Sequence, residues 1–195
     1  YSNTGGQASK STPLGAVAKF ASAGKPTAKK DMAMQAIAYG SVYVARVALG
    51  ADPQQTLRAF REAEAYPGPS LVIAYSHCIA HGYDLRNGLD QQYKAVHCGH
   101  WPLMRYNPVL ADEGRNPFLL DSSKPDKTWR EYTKLELRYR MLAKAHPEEA
   151  ERMLDLGQRQ VERRYAEYAE MASRTAEDFA VDARMSQLAA SSNRA

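Results

Sequence analysis

The stretch VYVARVAL at positions 42–49 decides the fold of this chain, together with the second apolar run SLVIAY at positions 70–75. Both runs are rich in aliphatic residues and carry almost no charge, which is typical of strands buried on both faces of a sheet. Residues 54–66, between them, have apolar side chains at helical spacing. A strand, a helix and a strand in this order predict a βαβ unit and therefore a parallel sheet.

Further elements are predicted on both sides of this unit. Thr12 and Pro13 have the chemistry of a helix start, and positions 31–39 predict a second short helix. After the unit, the sequence predicts a helix over 88–96 and short strands over 101–106 and 116–121. The predicted fold class is therefore α/β, with a partial parallel sheet flanked by helices.

The composition changes after residue 125. Apolar residues recur every three or four positions over 129–142 and again over 153–171, with Pro147 interrupting the pattern between them. Such spacing predicts two amphipathic helices. We therefore divide the chain into an α/β part, residues 1–125, and a helical C-terminal extension, residues 126–195.

Charge and composition exclude several classes of protein. The net charge of +4 arises from lysines and arginines dispersed among acidic residues, which does not predict a nucleic-acid surface. No apolar run approaches the ~20 residues that span a bilayer, and no signal peptide opens the sequence. The two cysteines cannot form a disulfide framework, so a reducing cytoplasm is the expected compartment.

The first residues form a polar loop. Ser2, Asn3 and Thr4 have short polar side chains, and the glycines that follow them permit backbone angles closed to other residues. Such a loop can bring amide N–H groups and an amide side chain to an anionic ligand. The alternative is a surface turn in which Asn3 bonds its own backbone.

The two cysteines differ in their surroundings. Cys78 lies in the stretch SHCIAHG just after the second predicted strand. The residues alone leave open a small core side chain or a metal ligand, and they lack the second sulfur pair that a zinc site needs. Cys98 is predicted to be a packing residue. His97 and His100 beside it are predicted to be ordinary polar neighbours without a catalytic role.

Three stretches carry a resemblance to a known family: YSNTGGQASKSTPLGAVAKFASAGK at 1–25, GPSLVIAYSHCIAHG at 68–82 and AVHCGHWPLMRYNP at 95–108. The chain resembles the pyruvate:ferredoxin (flavodoxin) oxidoreductases over at least residues 1–125. The resemblance implies the C-terminal half of a thiamine-diphosphate-binding domain. It also implies oxidative decarboxylation of pyruvate, transfer of electrons through 4Fe–4S clusters to ferredoxin or flavodoxin, and acetyl transfer to coenzyme A.

The resemblance also implies roles for individual residues. Asn3 would lie beside thiamine diphosphate and the 2-oxo acid as the catalytic side chain, and Tyr1, Ser2 and Thr4 would bind the cofactor. The side-chain ligands of the cofactor's Mg²⁺ are expected upstream of Tyr1. Cys78 would be the fourth thiolate of the 4Fe–4S cluster nearest thiamine, with the other three thiolates upstream.

Two further features follow from the resemblance. The turn over 63–70 could hold a structural cation through the carbonyls of Tyr66 and Gly68 together with Ser70, or it could be a turn without an ion. A set of N-terminal lysines could attract an acidic partner protein or coenzyme A phosphates, or could form a solvated face, the alternative that we prefer. These lysines are Lys10, Lys19, Lys25, Lys29 and Lys30.

The chain begins with Tyr1 rather than Met, and we expect it to be the C-terminal piece of a much longer polypeptide. Such a piece is expected to be inactive by itself. The resemblance implies a homodimer, and we expect the first extension helix to pack on its own domain and the second to contact the other subunit. A different class of function is also possible: a non-catalytic assembly or interaction module that binds a partner through the extension.

Overall fold

The computed structural model describes residues 5–179. Its strands and helices alternate along the first two thirds of the chain, and helices alone follow. In chain order they are α1 (Met32–Ile37), β1 (Tyr43–Val47), α2 (Pro53–Ala65), β2 (Ser70–Ala74), α3 (Gly88–His97), β3 (Met104–Tyr106), α4 (Val109–Asp112), β4 (Phe118–Leu120), α5 (Trp129–Thr133), α6 (Leu137–Ala145) and α7 (Pro147–Ser173). Two single-turn 3₁₀ helices, Ile79–His81 and Leu85–Asn87, lie between β2 and α3.

The four strands form one mixed sheet in the order β2-β1-β3-β4. Strands β1 and β2 are parallel, with Tyr43 opposite Ser70, and α2 connects them. Strand β3 runs antiparallel to β1, and β4 runs antiparallel to β3. The predicted α/β class and the βαβ unit are confirmed, and a short antiparallel pair completes the sheet.

The two parallel strands are buried to different degrees. Every residue of β1 is buried, as predicted for a strand with neighbours on both sides. The prediction that β2 is a second buried strand is wrong, because Ser70 and Ala74 are exposed and the three residues between them are half-buried. Among the described strands β2 pairs only with β1, so its other edge has no sheet neighbour.

The helix predicted from Thr12 and Pro13 is not formed. This segment consists of turns and short bridges, and Gly15 has a φ of 75°, which a right-handed helix cannot contain. Contacts with residues far along the chain take the place of helical hydrogen bonds. Lys25 Nζ donates to the Thr12 carbonyl at 2.6 Å, and the Val17 amide donates to the Arg138 carbonyl.

Up to residue 173, the extension contains three helices rather than the two predicted. The single helix predicted over 129–142 is divided into α5 and α6, because Glu136 between them is fully buried and its carboxylate binds other side chains. Pro147 begins α7 instead of only interrupting the pattern, which suits a residue that lacks an amide proton. Helix α7 is 27 residues long.

The apolar face of α7 packs on its own chain. Its buried residues are Ala150, Met153, Gly157, Val161, Tyr168 and Met171. Tyr168 packs edge-on against Phe118 of β4, and its hydroxyl donates to Asp31 Oδ2 at 2.7 Å. The prediction that this stripe contacts a second subunit is therefore wrong for these residues. In the described part of the chain, no helix has the length and apolar character needed to cross a bilayer.

Candidate functional site

The candidate site lies at the carboxyl end of β2. Tyr75 follows the strand directly, and its amide still bonds to Val47 of β1. Cys78, three residues further on, is a free and half-buried cysteine in extended backbone just before the first 3₁₀ helix. The sheet thus presents a tyrosine and a thiol at the edge where open α/β sheets bind ligands.

A buried polar network supports this edge from the extension. The carboxylate of Glu136 accepts hydrogen bonds from Gln91 Nε2 at 3.0 Å and from Arg138 Nε at 2.5 Å. Arg138 Nη2 donates to the Tyr132 hydroxyl at 3.3 Å, and the hydroxyls of Tyr132 and Tyr75 are 2.8 Å apart. The sequence analysis missed this network, because its members are far apart in the chain.

A cleft of about 130 Å³ opens between this network and the N-terminal segment. It is lined by polar and aromatic side chains from six segments of the chain. The lining residues are Ser11, Pro13, Lys29, Tyr75, Ser76, His81, His100, Trp101, Tyr132 and Arg138. A larger and more apolar cavity of about 350 Å³ lies between α5, α6 and α7. At the rim of that larger cavity, Arg130 is paired with Glu151.

Lys29 brings a cation to the cleft. Its ammonium lies 5.8 Å from the ring centre of Trp101 and has no hydrogen-bond or ion-pair partner among residues 5–179. Burial, together with the nearby cations Arg46 and Arg164, lowers the pKa of Lys29 to about 8. Lys29 is therefore a cation in surroundings that are already positive.

His100 contributes a neutral imidazole. Only 6% of the residue is exposed, and its ring lies against Trp129 and Tyr132 with centroids 4.9 and 5.0 Å away. Burial, followed by the field of Arg164, holds the pKa of His100 well below its usual value. Neither ring nitrogen has a hydrogen-bond partner in the described part of the chain. The prediction that His100 has no catalytic role stays a prediction, and the structure adds that His100 lines the cleft.

The other predicted site residues have separate positions. Tyr1, Ser2, Asn3 and Thr4 lie outside the described residues. Cys98 is fully buried, its thiol lies 3.5 Å from the Ala95 carbonyl, and burial raises its pKa to about 12. Its predicted packing role is confirmed. Residues 5–179 contain no group of three or more His, Cys, Asp and Glu placed to hold a metal.

The turn between α2 and β2 uses its polar groups internally. The Ser70 hydroxyl donates to the Ala63 carbonyl at 2.9 Å, and the Tyr66 hydroxyl donates to the Ser41 carbonyl at 2.8 Å. Tyr66 lies close against Gly68, where an added Cβ would be 2.6 Å from its ring. The cation site over Tyr66, Gly68 and Ser70 stays a prediction.

The N-terminal lysines do not form one surface. Lys10, Lys19 and Lys30 are exposed, as expected of a solvated face. Lys25 is buried on the Thr12 carbonyl and has a structural role. Lys29 alone of the five lines the cleft.

The fold and the candidate site describe an α/β protein with a polar cleft, lined by Lys29 and Arg138 among others, at the carboxyl end of its parallel strand pair. Comparison with known proteins is more specific. The chain is 53% identical over 174 residues to a pyruvate-flavodoxin oxidoreductase of a Nostoc species, and 50% identical over 174 residues to one of Klebsiella pneumoniae. It is 49% identical over 172 residues to a pyruvate:ferredoxin oxidoreductase of Moorella thermoacetica. No protein-family model matches the chain.

These alignments cover 88–89% of this chain but only 14–15% of the length of the relatives. The resemblance to pyruvate:ferredoxin and pyruvate:flavodoxin oxidoreductases is confirmed, and the chain corresponds to a segment of such proteins. At this identity the segment has the same fold as its counterpart in those proteins.

Proposed function

We propose that this chain is a working part of an enzyme that oxidatively decarboxylates pyruvate to acetyl-CoA and passes the electrons to ferredoxin or flavodoxin. The observation that carries the proposal is the identity of 49–53% over almost the whole chain to proteins named for this activity. The candidate site supports it, because it lies where an α/β sheet binds its ligand.

In this proposal Asn3 is the catalytic side chain, and Tyr1, Ser2 and Thr4 help to bind thiamine diphosphate and its Mg²⁺. Thiamine diphosphate, when bound, supplies stabilisation of a carbanion. The adjoining described residues support a tight loop, since Gly6 has a φ of 68°, a conformation that favours glycine. The side-chain ligands of Mg²⁺ belong to the rest of the polypeptide.

Cys78 is the proposed ligand of a 4Fe–4S cluster. Its thiol is free, is half-buried and lies on an irregular loop, which fits a ligand that must approach a cluster held by four thiolates. The cluster, when bound, supplies one-electron transfer. The described residues offer no other free cysteine than the buried Cys98. The other three ligands would therefore come from the rest of the enzyme, and the chain alone would be inactive.

Coenzyme A, pyruvate and the electron acceptor are the proposed partners of the longer enzyme, and a homodimer is its proposed assembly. A dimer contact would have to use surfaces other than the buried face of α7. The proposed compartment is the cytoplasm, where thiols such as Cys78 stay reduced. The rival function is a non-catalytic assembly or interaction module that acts through the helical extension. The buried face of α7 would not provide its binding surface, because that face packs on this chain.

The proposal is tested with the longer enzyme that carries this chain, purified without oxygen as wild type and as the variants Cys78→Ala and Cys98→Ala. Cys78→Ala should lose or convert one cluster, seen by EPR of the reduced protein, and should no longer reduce ferredoxin or flavodoxin. Cys98→Ala is the matched control and should keep both properties. An unchanged EPR spectrum together with normal acceptor reduction in Cys78→Ala would contradict the assignment.

A further inference from the structure

The cleft at the carboxyl end of β2 contains more hydrogen-bond donors than the described chain uses. Among residues 5–179, neither the ammonium of Lys29 nor the imidazole of His100 has a hydrogen-bond partner, although nine-tenths of His100 is buried. Buried polar groups are nearly always hydrogen-bonded, because an unpaired one costs free energy. A polar side chain that lines a cleft and lacks a hydrogen-bond partner therefore indicates a ligand that supplies this partner.

The tyrosine pair adds a donor with a defined direction. Arg138 always carries its proton and donates to the Tyr132 oxygen. Either hydroxyl could donate in the 2.8 Å contact between Tyr132 and Tyr75. Among residues 5–179 the Tyr132 hydroxyl has no other acceptor, so the arrangement that uses its hydrogen directs it at the Tyr75 oxygen. Because that contact uses the hydrogen of Tyr132, the hydrogen of Tyr75 is free to point into the cleft. The network thus presents Tyr75 as a hydrogen-bond donor.

The charge balance determines which ligand fits. Asp31 accepts from Arg46 and lies 3.8 Å from Arg164. Glu167 also acts on Arg164 but is paired with Arg163. The three cations Lys29, Arg46 and Arg164 therefore outnumber the carboxylates around them. Beneath the cleft, Arg138 is matched by Glu136. A ligand that accepts hydrogen bonds and carries negative charge would satisfy the donors and reduce this excess.

We propose that the cleft lined by Lys29, Tyr75 and His100 binds a small oxyanion, either a carboxylate or a phosphate group. Lys29 supplies the charge, and Tyr75 and the His100 N–H supply directed hydrogen bonds. Trp101 forms an apolar wall: Tyr75 meets its ring edge-on, with centroids 5.3 Å apart. The proposal rests on residues of this chain alone, so it stands or falls separately from the activity proposed above.

The test uses the chain itself and two probes, sodium acetate and sodium phosphate, added at constant ionic strength against chloride. The readout is the NMR signal of the His100 imidazole, assigned by its loss in His100→Gln. At least one probe should shift this signal in a saturable way. Saturation by acetate alone would identify a carboxylate site, and saturation by phosphate alone would identify a phosphate site. No saturable shift with either probe would overturn the proposal.

Variants of the lysines near the cleft identify which residue binds the oxyanion. Lys29→Met should weaken the binding about ten-fold or more, since it removes the only unpaired cation lining the cleft within the described chain. Lys30→Met is the matched control, because Lys30 is the exposed neighbour, and it should bind as the wild type does. Equal affinity in the two variants would overturn the role of Lys29.

A second variant keeps the test independent of any folding defect in Lys29→Met. Tyr75→Phe retains the ring against Trp101 and removes only the hydroxyl, so the fold should persist, as checked by circular dichroism. Its affinity for the same probe should fall several-fold. Unchanged affinity in a folded Tyr75→Phe would show that the hydroxyl does not reach the ligand and would contradict the proposed geometry.

Discussion

Two groups of charged side chains lie on opposite faces of β1, and they differ in how completely they are paired. On the face of Tyr43, Arg105 donates to both oxygens of Asp121 at 2.9 and 2.8 Å and also to Glu62. The Tyr43 hydroxyl donates to Glu62 at 2.9 Å, so the carboxylates are matched as well. We call this set the Arg105 cluster.

On the face of Arg46, the cleft is arranged differently. Among residues 5–179, Lys29 and His100 have no hydrogen-bond partner there, and the cations outnumber the nearby carboxylates. Fully paired charges hold a structure together, whereas open donors beside a cleft are available to a ligand. The comparison therefore separates a structural cluster from a candidate binding site within one sheet. Four measurements test that separation.

The largest effect is expected from Arg105→Met. The change leaves Glu62 and Asp121 without their cation in a mostly buried place, which should lower the free energy of unfolding by about 3–5 kcal/mol. This loss of stability is measured by denaturant unfolding that is monitored by circular dichroism. The control is Arg130→Met, whose pair with Glu151 is exposed and should contribute nothing measurable. Equal midpoints for Arg105→Met and wild type would show that the cluster is not structural.

A smaller loss of stability is expected when the hydrogen bond between α7 and Asp31 is removed. Tyr168→Phe keeps the buried ring but removes its hydrogen bond to the ionised Asp31, and should lower the free energy of unfolding by about 2 kcal/mol. Tyr165→Phe, in the same helix but with no such bond, should leave it unchanged. If both variants unfold at the same denaturant concentration, the bond to Asp31 does not hold α7.

The third effect is a pH dependence due to His100. Its pKa in the folded chain is far below the 6.5 of the unfolded chain, so only the unfolded state takes up its proton as the pH falls. The contribution of the neutral His100 to the free energy of unfolding is fully present above pH 6.5. Below it, the loss approaches about 1.4 kcal/mol per pH unit. The surrounding cations oppose a further charge; they are Lys29, Arg46, Arg138 and Arg164.

The measurement compares unfolding free energies of wild type and His100→Gln over this pH range. As the pH falls, the free energy of unfolding of the variant should decrease less steeply than that of the wild type. The difference between the two slopes should correspond to the uptake of one proton. Effects of the other titrating groups appear in both proteins and cancel in the difference. Parallel curves would mean that His100 is protonated in the folded chain, contrary to a neutral imidazole in the cleft.

The smallest effect on stability is expected from Lys29→Met, although this variant should bind the oxyanion about ten-fold or more weakly. Removing a desolvated cation beside Arg46 and Arg164 is favourable, while loss of its contact with Trp101 costs about 0.5–1 kcal/mol, so the two nearly cancel. Thermal unfolding should give the same midpoint as for Lys30→Met. A large destabilisation would place Lys29 with Arg105 among the structural cations.

Much of the fold could be predicted because its central strand has a local signal. The run of apolar residues in β1 needs no distant information to indicate a buried strand. The helix predicted at Pro13 is absent because Gly15 and the distant Lys25 determine the backbone there. The three-residue strands β3 and β4 are stabilised by pairing more than by their own sequences.

The site was less predictable than the fold. Cys78 and the N-terminal loop could be singled out because their stretches resemble a known family. His100 could not, since its environment comes from Lys29, Trp129 and Tyr132, which no local pattern connects to it. A histidine with open nitrogens in a cleft is visible only when the elements around it are assembled.

The bond between Asp31 and Tyr168 spans 137 residues of sequence, and this has a consequence for synthesis on the ribosome. At about 5–20 residues per second, Tyr168 is made roughly 7–27 seconds after Asp31. Until then α1 and β4 lack the helix that covers their apolar side chains, Ala33 and Phe118 among them. During this time the apolar side chains of the nascent sheet are exposed, and chaperones can bind them. A chain that ends before Tyr168 would keep these side chains exposed and would be prone to aggregate.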